Sequence, residues 1–131
     1  MRNIICLFAL VLAVTACSHN LREEFDMSMS KYNDLLIRNE LGPASIFTSN
    51  SIKTAFIARA EELKDIRIID YRIVNAKYDE PNHKAEVTVD ISYYNLYFNK
   101  VRSIRDIQEW KYSEENGIKG WRITSVLPKF Q

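Results

Sequence analysis

The chain has 131 residues, 47% of them hydrophobic and 27% charged. That suits one packed domain and excludes both a two-domain architecture and wholesale disorder. Its 18 Lys and Arg against 17 Asp and Glu give a net charge of +1, without the basic excess that a nucleic-acid surface needs.

The first residues read as an address. Met1-Arg2-Asn3 carries one positive side chain, Ile4 to Val14 is an unbroken apolar run, and Thr15-Ala16 places small residues ahead of Cys17. This is the order of a secretory signal peptide, here residues 1–16. The apolar run is too short to span a hydrocarbon core, which takes roughly 20 residues. Both cysteines, Cys6 and Cys17, lie in this region, so a disulfide framework and a cysteine zinc site are excluded from the rest.

Val14-Thr15-Ala16-Cys17 resembles the lipobox of bacterial lipoproteins. The resemblance implies a diacylglyceryl group on the Cys17 sulfur, cleavage before Cys17 and acylation of the new amino group. Two or more acyl chains anchor a protein stably, whereas one holds it marginally. Ser18, where Asp would signal retention at the inner membrane of a Gram-negative cell, implies the outer membrane with the domain facing the periplasm. Cleavage removes Arg2 and no acid, leaving 17 basic against 17 acidic side chains. The lipid on Cys17 is therefore the expected membrane partner, with no polybasic attraction behind it. Residues 17–20 form a short lipidated tether, and 21–131 a single domain.

Leu21, Phe25, Met29, Tyr32 and Leu36 form one apolar stripe at helical spacing, predicting a helix from Leu21 to about Glu40 that Gly42-Pro43 stops. One short helical turn is expected within Pro43 to Thr48. Thr48-Ser49-Asn50-Ser51 supplies N-cap residues, and Ile52, Phe56, Ala60 and Leu63 predict a second main helix from about Ser51 to Lys64. The period then drops to 2. Ile66 to Tyr78 reads as a strand, Asp79 to His83 as a turn, and Lys84 to Ser92 as a strand with Ala85, Val87, Val89 and Ile91 on its buried face. Val101 to Tyr112 and Trp121 to Leu127 are the third and fourth strands, separated by a turn over Ser113 to Gly117. Helices followed by an antiparallel meander give an α+β fold, with N-terminal helices packed on a bent four-stranded antiparallel sheet.

Ala85-x-Val87-x-Val89-x-Ile91, Ile107-Gln108-Glu109-Trp110 and Gly120-Trp121-Arg122-Ile123, following two helices, resemble the NTF2-like (cystatin-like) cone fold. The likeness covers most of residues 21 to 130. It implies a concave cup, which in that fold hosts enzymes as well as non-catalytic binding and assembly modules, so fold alone does not decide function.

In the third strand, Ile104, Asp106, Gln108, Trp110 and Tyr112 share a face, and the opposite face is mostly charged. The first set is expected to point inward, making Asp106, Gln108 and Trp110 a possible pocket in or beside the cup. A carboxylate walled by Trp110 and tyrosines would have a raised pKa suited to proton transfer. The alternative is a strand shifted by a bulge, with Asp106 exposed or paired to Arg102 or Arg105. A lone acid does not make a catalytic site, and no catalytic residue is assigned. Tyr94, Leu96 and Phe98 make the outer face of the second strand apolar. They read either as a strand end rolled under the sheet or as an interface for a homodimer or an envelope protein partner.

His19 and His83 lack ligand-spaced companions, so no metal is expected. No Gly-rich phosphate loop or nucleophile elbow occurs, so no cofactor is expected either. The preferred reading is a lipid-anchored cell-envelope protein with a non-catalytic binding or assembly domain. The alternative is an NTF2-like enzyme or small-ligand binder using the cup near Asp106, Gln108 and Trp110.

Overall fold

The computed structural model describes the backbone of residues 2–131 and side chains from Asn20 onward. The expected signal peptide, 1–16, and the expected lipidation site, Cys17, lie outside the described side chains. Four helical pieces come first: α1 (Arg2–Ile37), α2 (Leu41–Ala44), a 3-10 turn (Ser45–Phe47) and α3 (Lys53–Glu61). Four strands follow: β1 (Ile66–Asp79), β2 (Lys84–Asn95), β3 (Val101–Glu115) and β4 (Ile118–Ile123). They pair antiparallel in the order β1-β2-β3-β4, an open sheet with the helices packed on it, and the fold is α+β. Among the described residues no helix is long and apolar enough to cross a membrane.

The stripe on α1 packs as its spacing dictates: Phe25, Met29, Tyr32 and Leu36 are buried, joined by Leu35. The helix stops earlier than expected. Asn39 takes a left-handed φ of 59°, its N–H donates to the Leu36 carbonyl, and the Glu40 N–H donates to the Leu35 carbonyl. This paired termination satisfies the last carbonyls, and Asn tolerates the left-handed conformation it needs. Gly42-Pro43 are therefore not the stop but part of α2, where Pro in the first turn removes no helical hydrogen bond.

The hydroxyl-rich Thr48 to Ser51 segment does not cap α3, which has no side-chain cap. Instead it runs along β4. Thr48 bridges Ile123 in parallel and the Ser49 N–H donates to the Ile123 carbonyl at 2.9 Å. Ser49 Oγ also donates to Glu115 at 2.7 Å. A loop thus covers one sheet edge, leaving fewer unpaired backbone groups there. The helix α3 is shorter than the expected span, but Phe56 and Leu63 are buried as the pattern requires.

Strand β2 buries Ala85, Val87, Val89, Ile91 and Tyr93 in strict alternation. Strand β1 shifts register between Ile68 and Asp70 and between Ile73 and Asn75, so Ile69 and Val74 are extra residues that bend the edge. Strand β3 runs past Tyr112 to Glu115. Asn116 and Gly117, with φ of 54° and 77°, close a two-residue turn whose twist matches the strands. Strand β4 begins and ends earlier than expected, at Ile118 and Ile123; the chain beyond it keeps to β3, with Thr124 N–H donating to the Glu109 carbonyl at 2.7 Å. Leu127 is buried, and Phe130 meets the Tyr93 ring edge-on at 5.0 Å.

Trp121 closes the core where α1 first meets the sheet. Its ring lies 5.1 Å from Phe25, 5.7 Å from Tyr112 and 5.8 Å from Tyr78. Its Nε1–H donates to the Leu21 carbonyl at 2.9 Å. Trp121→Ala should destabilise the domain by about 3–5 kcal/mol, measured by denaturant unfolding. An unchanged midpoint would contradict this packing.

Candidate functional site: a closed polar cluster under helix α1

Inward-facing residues of β3 sit across from small and aliphatic partners on β2. Trp110 pairs with Ala85, Gln108 with Val87 and Asp106 with Val89. All three are buried. Asp106 does not pair with Arg102 or Arg105. Arg105 lies on the outer face, where it and Arg72 both bind Asp90, at 2.9 and 3.1 Å.

Sequence reasoning missed the partner of this trio, Asn33. It follows Tyr32 on α1 and is buried at the margin of the apolar stripe. Gln108 Nε2 donates to Asn33 Oδ1 at 2.8 Å, and Asn33 Nδ2 donates to Gln108 Oε1 at 3.3 Å. The two amides form a reciprocal pair across 75 residues of sequence. Asn33 Nδ2 also donates to the Met29 carbonyl at 2.9 Å. Gln108 Nε2 gives its second proton to Asp106 Oδ2 at 3.0 Å, and Gln108 Oε1 accepts from Trp110 Nε1 at 3.3 Å. Two donors and two acceptor positions are what a glutamine amide has, and here all are used. The signal that could have found Asn33 is a lone amide beside an apolar stripe, which must meet a buried partner.

Electrostatics follow from burial. Asp106 is pushed up to about 6, mainly because burial disfavours the charged carboxylate, and the bond from Gln108 opposes the shift. The Tyr32 phenol is held well above its usual value, first by burial and then by the negative charge on Asp106. Tyr32 and Phe25 approach Trp110 edge-on at 5.6 and 6.1 Å. The space over the trio is thus occupied by side chains of α1.

Among the described residues, one cavity of about 380 Å³ is lined by Trp110 together with Lys77, Lys84, Glu86, Glu109 and Lys111 among others. Another, about 550 Å³, is lined by Tyr93, Arg102, Ser103, Ile104, Lys129 and Gln131. Asp106 and Gln108 line neither. Among the described residues no group of three or more His, Cys, Asp or Glu side chains is placed to hold a metal ion.

The structure does not bring Tyr94, Leu96 and Phe98 together on the outer sheet face. Strand β2 ends at Asn95, where the amides that follow are taken up by a turn. Leu96 N–H donates to the Asp65 carbonyl at 2.8 Å, Tyr97 N–H to Asn95 Oδ1 at 2.9 Å, and both Phe98 and Asn99 N–H to the Asn95 carbonyl. Tyr94 alone stays on the face, half-buried, while Leu96 and Phe98 stand in the β2–β3 turn.

Compared with known proteins, the chain matches no family model and no curated protein.

The raised Asp106 value makes a pH prediction. An unfolded Asp titrates near about 3.9, so the folded chain binds this proton more tightly. The resulting stabilisation is full below the unfolded value and is lost as pH rises through about 6. Wild-type stability relative to Asp106→Asn should therefore fall by about 2–3 kcal/mol between pH 4 and 7.5. Denaturant titrations at several pH values measure it, and a pH-independent difference would contradict a buried, proton-holding carboxyl.

Proposed function

We propose that this chain is a lipid-anchored cell-envelope protein whose domain binds or assembles with a partner rather than turning over a substrate. The observation that carries this reading is the closed polar cluster. Every hydrogen-bonding position of the Gln108 amide is used within the protein, and aromatic side chains of α1 stand where a substrate would need to sit. What remains available is at the surface, where Leu96, Tyr97, Phe98 and Val101 are exposed around one turn.

The lipid anchor is supported by Val14-Thr15-Ala16-Cys17 and the short apolar run before it. Ser18 supports the outer membrane, with the domain in the periplasm. The NTF2-like reading is supported by the order of elements and by the bulged edge strand, which bends the sheet.

One observation favours a second reading, an enzyme or small-ligand binder working at Asp106. A carboxyl near 6 is poised for proton transfer at neutral pH. The two readings separate on Asp106→Asn: the binding reading has it folded with cellular function intact, and the enzymatic reading has it folded with function lost.

Cys17→Ala should abolish incorporation of a fatty-acid probe in growing cells and release the protein from the membrane fraction. Equal labelling of wild type and variant would overturn the anchor.

A further inference from the structure

The meander gives the domain two distinct ends. At one, the β1–β2 and β3–β4 turns meet the start of the packed part of α1, where Leu21 bonds Trp121 and Phe25 meets Tyr78. At the other stands the β2–β3 turn. Strand β2 separates them by 12 residues, about 40 Å at roughly 3.3 Å per residue.

That far turn is apolar, and hydrogen bonds hold its backbone. Tyr97 is 76% exposed and Phe98 75%, with Leu96 and Val101 exposed beside them. The amides of residues 96 to 99 are all bonded within the protein, so the rings are presented outward by a fixed backbone. Apolar side chains held out in this way mark a contact surface.

The charge around them is one-sided. Arg67 pairs with Tyr94 in the sheet, Arg102 with Tyr93, and Lys100 lies within the turn. Lys129 shares the 550 Å³ cavity with Arg102. Among the described residues none of these four cations has a carboxylate at ion-pair distance. The Arg67 guanidinium donates instead to the Lys64 and Ile66 carbonyls. Of the nearby acids, Glu61 pairs with Lys64 and Glu62 with Arg59, which leaves Asp65.

We propose that this tip docks an acidic, apolar segment of a partner protein. Apolar rings surrounded by unpaired cations are complementary to apolar residues flanked by carboxylates. A second copy meeting tip to tip would face like with like, setting the same four cations against each other. A bilayer would also suit aromatic and basic side chains, but the tip is at the end away from the anchor. This last step rests on the lipid-anchored reading above.

The test uses the full chain in intact cells. A photo-reactive residue is placed at the tip as Phe98→p-benzoylphenylalanine, and on the exposed outer sheet face as Ile107→p-benzoylphenylalanine. The expected result is a crosslink from position 98, absent from 107, to a protein segment carrying net negative charge and apolar residues. Its yield should fall about tenfold when Lys100→Glu and Arg102→Glu are added. Unchanged protease resistance of the purified protein verifies that these exposed substitutions leave the fold intact. A crosslink to lipid, to a second copy of this chain, or to a protein with no dependence on the charge reversal would overturn the proposal, as would no crosslink. Membrane fractionation of Cys17→Ala is read separately: retention there overturns the anchor, whatever the tip crosslinks to.

Discussion

A buried amide pair fixes where the long helix lies on the sheet. Asn33 and Gln108 exchange hydrogen bonds in both directions, and Gln108 spends its remaining positions on Asp106 and Trp110. Hydrophobic burial drives α1 onto the sheet but is indifferent to a shift of one turn. The amides are not indifferent. Displacing Asn33 would strand buried donors and acceptors, at about 1–3 kcal/mol each. The rest follows from that register: Phe25 reaches Tyr78, Trp110 and Trp121, Tyr32 stands over Trp110, and Asp34 accepts from the Tyr71 hydroxyl at 3.0 Å.

Because α1 is locked in this position, the two ends of the domain differ in kind. The helix enters beside two tight turns and an aromatic cluster. The opposite end is left with the C-terminal tail, which packs Leu127 and Phe130 against the inner face, and with an apolar turn whose rings stay exposed among the described residues. The sheet edges differ as well. The Thr48 to Ser49 loop covers β4. Strand β1 has no outer neighbour among the described strands and carries two bulges, a common protection against edge-to-edge pairing.

What the sequence makes legible follows from which signals are local. The alternation of Ala85, Val87, Val89 and Ile91 has one physical solution, a strand with one buried face, and the stripe from Phe25 to Leu36 has one too. The inward direction of Asp106, Gln108 and Trp110 was readable because the opposite face of β3 is charged. Other features depended on competition between signals. Gly42-Pro43 looked like the stronger stop, yet Asn39 ends α1 first. The third turn was legible, but the polarity of Ser113 to Gly117 hid that it shrinks to Asn116-Gly117 and that β3 extends to Glu115. Leu96 and Phe98 kept the strand period while the backbone had already left the strand, since alternation does not record where hydrogen bonding stops. Asn33 was hidden because its role exists only once a residue far along the chain faces it.

A double-mutant cycle on Asn33→Ala and Gln108→Ala tests the amide pair most directly. If the pair sets the helix on the sheet, each single change should be costly, and the second should cost much less once the first is made. The expected coupling is about 1–3 kcal/mol in denaturant unfolding. Single losses that add to within about 0.5 kcal/mol would show that α1 is held by apolar packing alone and that the amides are bystanders.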